Sequence, residues 1–266
     1  MIETHWALAR KPFSNTPDPA FIFHSPAFDE GFARLLYDVT EIRGGLSLIT
    51  GDIGCGKTML AHALVDRLRE TEHAVSVLPS PRLTPVQLLR AVAEATGQAT
   101  LPAAKHRAVA ALGAHLAALH GAGRRPVLLV DEAQLVPRTL LEEIRLLTNY
   151  EDRADKHLQV VLLGQPELRA HVARQPQIDQ RVSLRYHMPP LESDEVGAYV
   201  RHRLEVAGAG RRRIFDDAAM CALADRSGGI PRLVNNLATQ ALFVGAMRKL
   251  TVVDAELVTD VADDRT

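Results

Sequence analysis

Cysteine is scarce in this chain, with Cys55 and Cys221 the only two among 266 residues. Two thiols that far apart suggest neither a disulfide framework nor a four-ligand zinc site, and a reducing compartment is the simpler expectation. An excess of one charge is also missing. Lys and Arg total 31 against 32 Asp and Glu, a net charge of -1, so a protein that grips nucleic acid through its whole surface is not expected. No apolar run approaches the roughly 20 residues that cross a bilayer. The first residues also lack the basic-then-apolar pattern of a secretory signal. The expectation is a cytoplasmic chain that does not insert into a membrane. With 47% hydrophobic against 24% charged residues, the balance is that of an ordinary globular protein, long enough for one large domain or a core with an appendage.

Proline and aromatic residues crowd the start, with Pro12, Phe13, Pro17, Pro19, Phe21, Phe23 and Pro26 interleaved. Proline lacks the amide that a helix interior needs, so residues 1–26 read as an extended arm pinned to the core by its rings. Phe28, Phe32, Leu35, Leu36, Val39 and Ile42 then recur at helical spacing. Short apolar runs follow at 46–50, 74–78, 127–130, 158–163 and 182–187, separated by helical segments starting near Lys57, Pro85, Ala103, Pro137 and Glu167. Strands this apolar, alternating with helices, predict an α/β fold whose five-stranded parallel sheet is covered on both faces. This core is expected over 27–190. Beyond Pro190 the strands stop. One helix is expected after a Ser193 cap and another after Asp216. A third carries Ile230, Leu233, Val234, Leu237, Ala241 and Val244 on one face. Residues 191–266 therefore read as a small all-helical module, whose last dozen residues are too polar to place.

Gly51-Asp52-Ile53-Gly54-Cys55-Gly56-Lys57-Thr58 matches the G-x-x-x-x-G-K-[ST] pattern, with a strand before it and a helix opening through Met59 after it. Glycines let the backbone wrap closely round phosphates, and the amides of this stretch and the helix N-terminus favour negative oxygens. Lys57 is expected to reach the β- and γ-phosphates and the Thr58 hydroxyl to bind magnesium. Cys55 reads as a small loop residue, or as a thiol whose alkylation would block nucleotide.

The run Val127-Leu128-Leu129-Val130 ends in Asp131-Glu132-Ala133-Gln134. Neighbouring side chains at a strand tip point different ways and can do different jobs. Asp131 is expected to hold magnesium, directly or through water, and Glu132 to orient and deprotonate the attacking water. The two motifs are expected at the carboxyl ends of neighbouring strands, where open α/β sheets bind ligands.

These motifs, with further segments, resemble the AAA+ superfamily, and in detail its ExeA/GspA-type branch, which is related to the TniB/TnsC-like transposition ATPases. The resemblance rests on the Pro-Phe-Ser-Asn-Thr-Pro-Asp-Pro of 12–19, His24-Ser-Pro, the P-loop and Val-Asp-Glu-Ala-Gln. It also includes Leu-Leu-Thr-Asn-Tyr-Glu at 146–151, Gly-Gln-Pro-Glu-Leu at 164–168, Gln-Arg-Val-Ser-Leu-Arg-Tyr-His at 180–187 and Gly-Gly-Ile-Pro-Arg at 228–232. It implies a P-loop NTPase core with a C-terminal helical lid. Arg232 would sense the γ-phosphate, and Arg181, or alternatively Arg185, would be the finger that reaches a neighbouring subunit's nucleotide. Gln165 stands where relatives carry a polar residue that positions water, although helix capping is as good a reading beside Pro166. Pro17, Asp18, Phe21 and Tyr199 could bracket adenine or simply pack.

The expected activity is Mg-dependent ATP hydrolysis, with ATP and Mg2+ as ligands. ATP binding is expected to close the lid, and hydrolysis to need a second subunit of a homo-oligomer. Two uses compete. The first is an ExeA/GspA-like ATPase of secretion or envelope assembly; such proteins often continue into a membrane anchor and a cell-wall-binding domain, which this sequence does not include. The second is an ATP-gated DNA-binding helper that recruits a transposase, with Arg124-Arg125 and Arg211-Arg212-Arg213 as candidate phosphate contacts. A small-molecule kinase is a weaker third, because it does not explain the helical module with its Pro-Arg.

Overall fold

The computed structural model describes residues 1–78, 83–151 and 156–264. Residues 79–82 and 152–155 of the expected core and 265–266 of the polar tail lie outside them. In chain order the helices are α1 (Ile2–His5), α2 (Pro26–Tyr37), α3 (Lys57–Arg69), α4 (Pro85–Ala95), α5 (Lys105–Gly121), α6 (Arg138–Leu147), α7 (Glu167–Ala173), α8 (Pro176–Asp179), α9 (Ser193–Val206), α10 (Asp217–Ser227), α11 (Pro231–Met247) and α12 (Ala255–Asp263). The strands are β1 (Leu46–Gly51), β2 (His73–Leu78), β3 (Arg125–Val130), β4 (Gln159–Gly164) and β5 (Val182–Met188). Among the described residues no helix is long and apolar enough to cross a membrane.

The chain divides into two compact units. One comprises residues 30–51 and 60–188, the other residues 1–29, 52–59 and 189–266.

The first unit holds a wholly parallel sheet in the order β2-β3-β4-β1-β5. Every residue of β1 and β4 is buried, which is why these strands read as unbroken apolar runs. At the edges the expected double cover fails. Along β5 exposed positions alternate with half-buried ones between buried ends, and Val77 of β2 is exposed. A second correction concerns lateral order. β4 lies between β1 and β3, pairing Leu162 with both Leu48 and Val130, so the strands carrying the two motifs are not neighbours. Both still end at the same edge, because the sheet is parallel throughout. Helix α2 also departs from its expected run. A π-helical turn, Asp38–Ile42, follows it, and the extra residue per turn shifts the phase, leaving Val39 buried and Ile42 exposed.

The second unit is helical. Its core joins Val196, Val200, Leu223, Leu237, Ala241 and Val258 with Trp6, Phe13 and Phe21 of the arm. Glu192, not Ser193, caps α9, in a capping box with Glu195. Asp216 caps α10 as expected, accepting from the Ala219 amide at 2.7 Å. On α11 the buried stripe is Val234, Leu237, Ala238, Ala241 and Leu242, whereas Leu233 is exposed. The polar tail forms α12 because Asp254 caps it and Leu257, Val258 and Val261 give it one buried face.

Candidate active site

Strand β1 delivers the chain to Gly51, where a side chain would lie 2.6 Å from the Met188 carbonyl oxygen. The loop then turns through Asp52, Ile53, Gly54, Cys55 and Gly56 and feeds Lys57, Thr58 and Met59, the first turn of α3. Gly54 and Gly56 have φ of +89° and +99°, a region that side-chain-bearing residues avoid. A Cβ on Gly54 would fall 2.5 Å from Cβ of Arg232. The Arg232 amide donates to the Gly54 carbonyl at 3.3 Å, so the loop is seated on the first turn of α11.

Lys57 is only 8% exposed, and its ammonium donates to the Asp52 carbonyl at 2.8 Å. A buried ammonium, a glycine-shaped loop and a helix start make a good receptor for a polyphosphate. Cys55 is buried beside them. Burial and then the Asp52 carboxylate push its thiol pKa up, against the pull of Lys57, so the thiol stays neutral and shielded.

In the other unit, β3 hands the chain to Asp131, whose amide donates to the Leu78 carbonyl at 3.0 Å. Glu132 is exposed and sits in the left-handed region, at φ +50° and ψ +36°. Such a conformation costs on the order of 1–3 kcal/mol and persists where neighbours hold it. Here the Glu132 amide donates to Asp131 Oδ1 at 2.8 Å, and Glu132 Oε2 accepts from Gln134 Nε2 at 2.6 Å. Gln134 Oε1 in turn accepts from the Gln165 amide at 3.1 Å. Gln134 was not among the sequence candidates. The available signal was a side chain that both donates and accepts, two positions beyond the acid.

The Gln165 side chain does not cap α7, whose N-cap is Pro166 and has no side-chain cap bond. That removes side-chain capping and leaves the backbone of Gln165 as its visible contribution, the carbonyl accepting from the Leu168 amide at 2.9 Å. Arg181 follows α8 and sits near enough to Lys156 to depress that ammonium's pKa, second to burial. Arg185 is engaged locally, donating to Asp179 Oδ1 at 2.8 Å, to the Asp179 carbonyl at 2.6 Å and to the Val182 carbonyl at 3.3 Å.

Packing uses the adenine candidates. The Phe21 ring lies under the guanidinium groups of Arg10 and Arg203, and the buried Tyr199 hydroxyl donates to Asn235. Asp18 caps Ala20 and pairs with Arg10. Nor is the Arg211–Arg213 cluster wholly solvated. Arg212 donates to the carbonyls of Trp6, Ala7, Gly208 and Ala209, and Arg213 pairs with Asp217.

Residues 41–172 match the AAA domain family. General secretion pathway protein A of Aeromonas hydrophila is 40% identical over 255 residues, which is 93% of this chain and 45% of that protein. The chain thus spans less than half of that relative's length. Among solved structures, the ORC2 protein of Aeropyrum pernix in its ADPNP-ADP complexes superposes with a TM-score of 0.70 at 17% identity, over 96% of this chain and 71% of that one. Drosophila ORC bound to DNA does so with a TM-score of 0.74 at 18% identity, over 99% and 65%. At those identities the likeness speaks for the fold alone, a P-loop NTPase core with a C-terminal helical region. The identity to the secretion protein, sustained over nearly the whole chain on that fold, makes this chain a member of the AAA+ ATPases of the ExeA/GspA type.

Proposed function

We propose that the chain binds Mg-ATP through residues 51–59 and hydrolyses it, and that the cycle works an oligomeric switch in secretion or envelope assembly. The observation that carries the proposal is the loop itself, whose glycines are required by its geometry and which brings a buried Lys57 to the head of α3. Lys57 neutralises the β- and γ-phosphates, and the loop amides donate to the remaining negative oxygens. Thr58 and Asp131 are the residues that would hold magnesium, which when bound would supply charge neutralisation on the phosphates. Glu132 orients the attacking water and takes its proton. Arg232, already packed on Gly54, is suited to sensing the γ-phosphate. Gln165 is suited to positioning the water.

Arg181 is favoured over Arg185 as the finger, because the Arg185 guanidinium is committed to Asp179 and Val182. A finger supplied from outside raises turnover by about 10³–10⁵ in systems where it is known.

The test is nucleotide titration alongside turnover. Lys57→Ala should lose ATP binding, whereas Glu132→Gln should bind ATP, cease to hydrolyse it and accumulate as oligomers. ATP binding by Lys57→Ala at the affinity of the unaltered protein would remove the basis of the proposal. The place in secretion is supported by the relative's name, General secretion pathway protein A. The duplex-binding alternative is weakened by the commitment of Arg212 and Arg213 to other partners. A salt-dependent shift of labelled duplex in the presence of a non-hydrolysable ATP analogue would revive it.

A further inference from the structure

The geometry points to Gln134 as a positioning residue that ties the Glu132 carboxylate to the backbone at the end of β4. The inference rests on the reading of Glu132 as the residue that prepares water.

Gln134 lies in a single 3₁₀ turn, Ala133–Leu135, between the acid pair and α6. Its amide makes two bonds of opposite sense. Nε2 donates to Glu132 Oε2 at 2.6 Å, and Oε1 accepts from the Gln165 amide at 3.1 Å. Only one orientation of the amide satisfies both partners. The flipped amide would set NH2 against an N–H group and a carbonyl against a carboxylate, so each bond fixes the other. Room for this bridge depends on Gly164, where a Cβ would fall 2.7 Å from Gln134 Oε1.

Glu132 needs such support. It is exposed at a strand tip in a left-handed conformation, and a free glutamate there would sample several rotamers. With Oε2 held, the other oxygen is presented in a fixed direction, and among the described residues it accepts no hydrogen bond. Gln165 opens the connection from β4 to α7, so any shift of that junction is transmitted to the carboxylate through one side chain. Orientation of this kind is worth large factors in rate, since a misplacement of about 1 Å can cost roughly 10²-fold.

Two substitutions separate the two bonds. Gln134→Met keeps the length and removes both. Gln134→Glu keeps an acceptor for the Gln165 amide but withdraws the donor from Glu132. Both should lower kcat by about 10- to 100-fold while leaving KM and the dissociation constant for ATP within about two-fold. Proton exchange at the Gln165 amide, followed by NMR without nucleotide, should quicken in Gln134→Met and stay slow in Gln134→Glu. An unchanged or increased kcat in either variant overturns the inference, as does unchanged Gln165 exchange in Gln134→Met. Failure of the underlying reading looks different: the unaltered protein would not turn over ATP, or Glu132→Gln would still do so, whatever the Gln165 amide reports.

Discussion

Gly54 carries two constraints that can be separated. Its φ of +89° penalises any side chain, by about 1–2 kcal/mol for a left-handed L-residue, and a Cβ would also meet Arg232 at 2.5 Å. Gly97 has a φ of +94° with nothing within 4 Å of the same position, so Gly97→Ala registers the backbone cost alone. Gly54→Ala should therefore lower the thermal midpoint more than Gly97→Ala and weaken ATP binding as well. Equal midpoints with intact nucleotide affinity would mean that the contact with Arg232 is unimportant. Residue by residue, the P-loop and acid pair were legible because each is a local string whose chemistry depends on neighbours in sequence. The Gln134 bridge was not, because its partner at residue 165 comes from another strand. The bond from Arg185 to Asp179, which bears on the choice between Arg181 and Arg185, was likewise not legible in the sequence.

At the scale of elements, strand positions were readable to within a residue or two, since buried parallel strands are apolar and short. Their lateral order was not, because nothing in the run Gln159–Gly164 says that it will be inserted between β1 and β3. The choice of Glu192 over Ser193 as a cap was equally invisible, both being followed by suitable helix starts. The start of β2 carries a pH dependence. His73 is 9% exposed, its Nδ1 is 2.6 Å from the Thr71 hydroxyl, and its Nε2 is buried with no hydrogen-bond partner among the described residues. Burial is the main cause that lowers its pKa below the ordinary 6.5, with Arg125 and Arg43 acting the same way and Glu72 opposing them. The folded state then binds fewer protons than the unfolded one. The corresponding stability is complete above pH 6.5 and is lost as the pH falls towards the folded value. His202 in the helical unit is shifted the same way, burial first. Urea midpoints should hold steady above neutrality and decline below it, and His73→Gln should flatten that decline. A decline of the same slope in His73→Gln would acquit this histidine.

For the whole molecule, the prediction concerns sharing between copies. If Arg181 acts on a neighbouring subunit, Arg181→Ala lacks a finger but keeps an intact site, and Glu132→Gln has the reverse defect. Each should be nearly inactive alone, yet a mixture should recover turnover, and the unaltered protein's specific activity should rise with concentration. No recovery in a mixture shown to co-assemble would indicate a site complete within one chain.

The polar network of the arm has a consequence in time. Arg203 is buried at 5% exposure and donates to the carbonyls of Pro12 and Ser14, while Asn235 and Asn236 meet Asn15. During synthesis residues 6–21 leave the ribosome well before these partners exist. At about 5–20 residues per second the wait is on the order of ten to forty seconds. Through that interval Trp6, Phe13 and Phe21 must be tolerated by the cell as bare aromatic bait, open to chaperone capture, until α9 and α11 emerge to claim them.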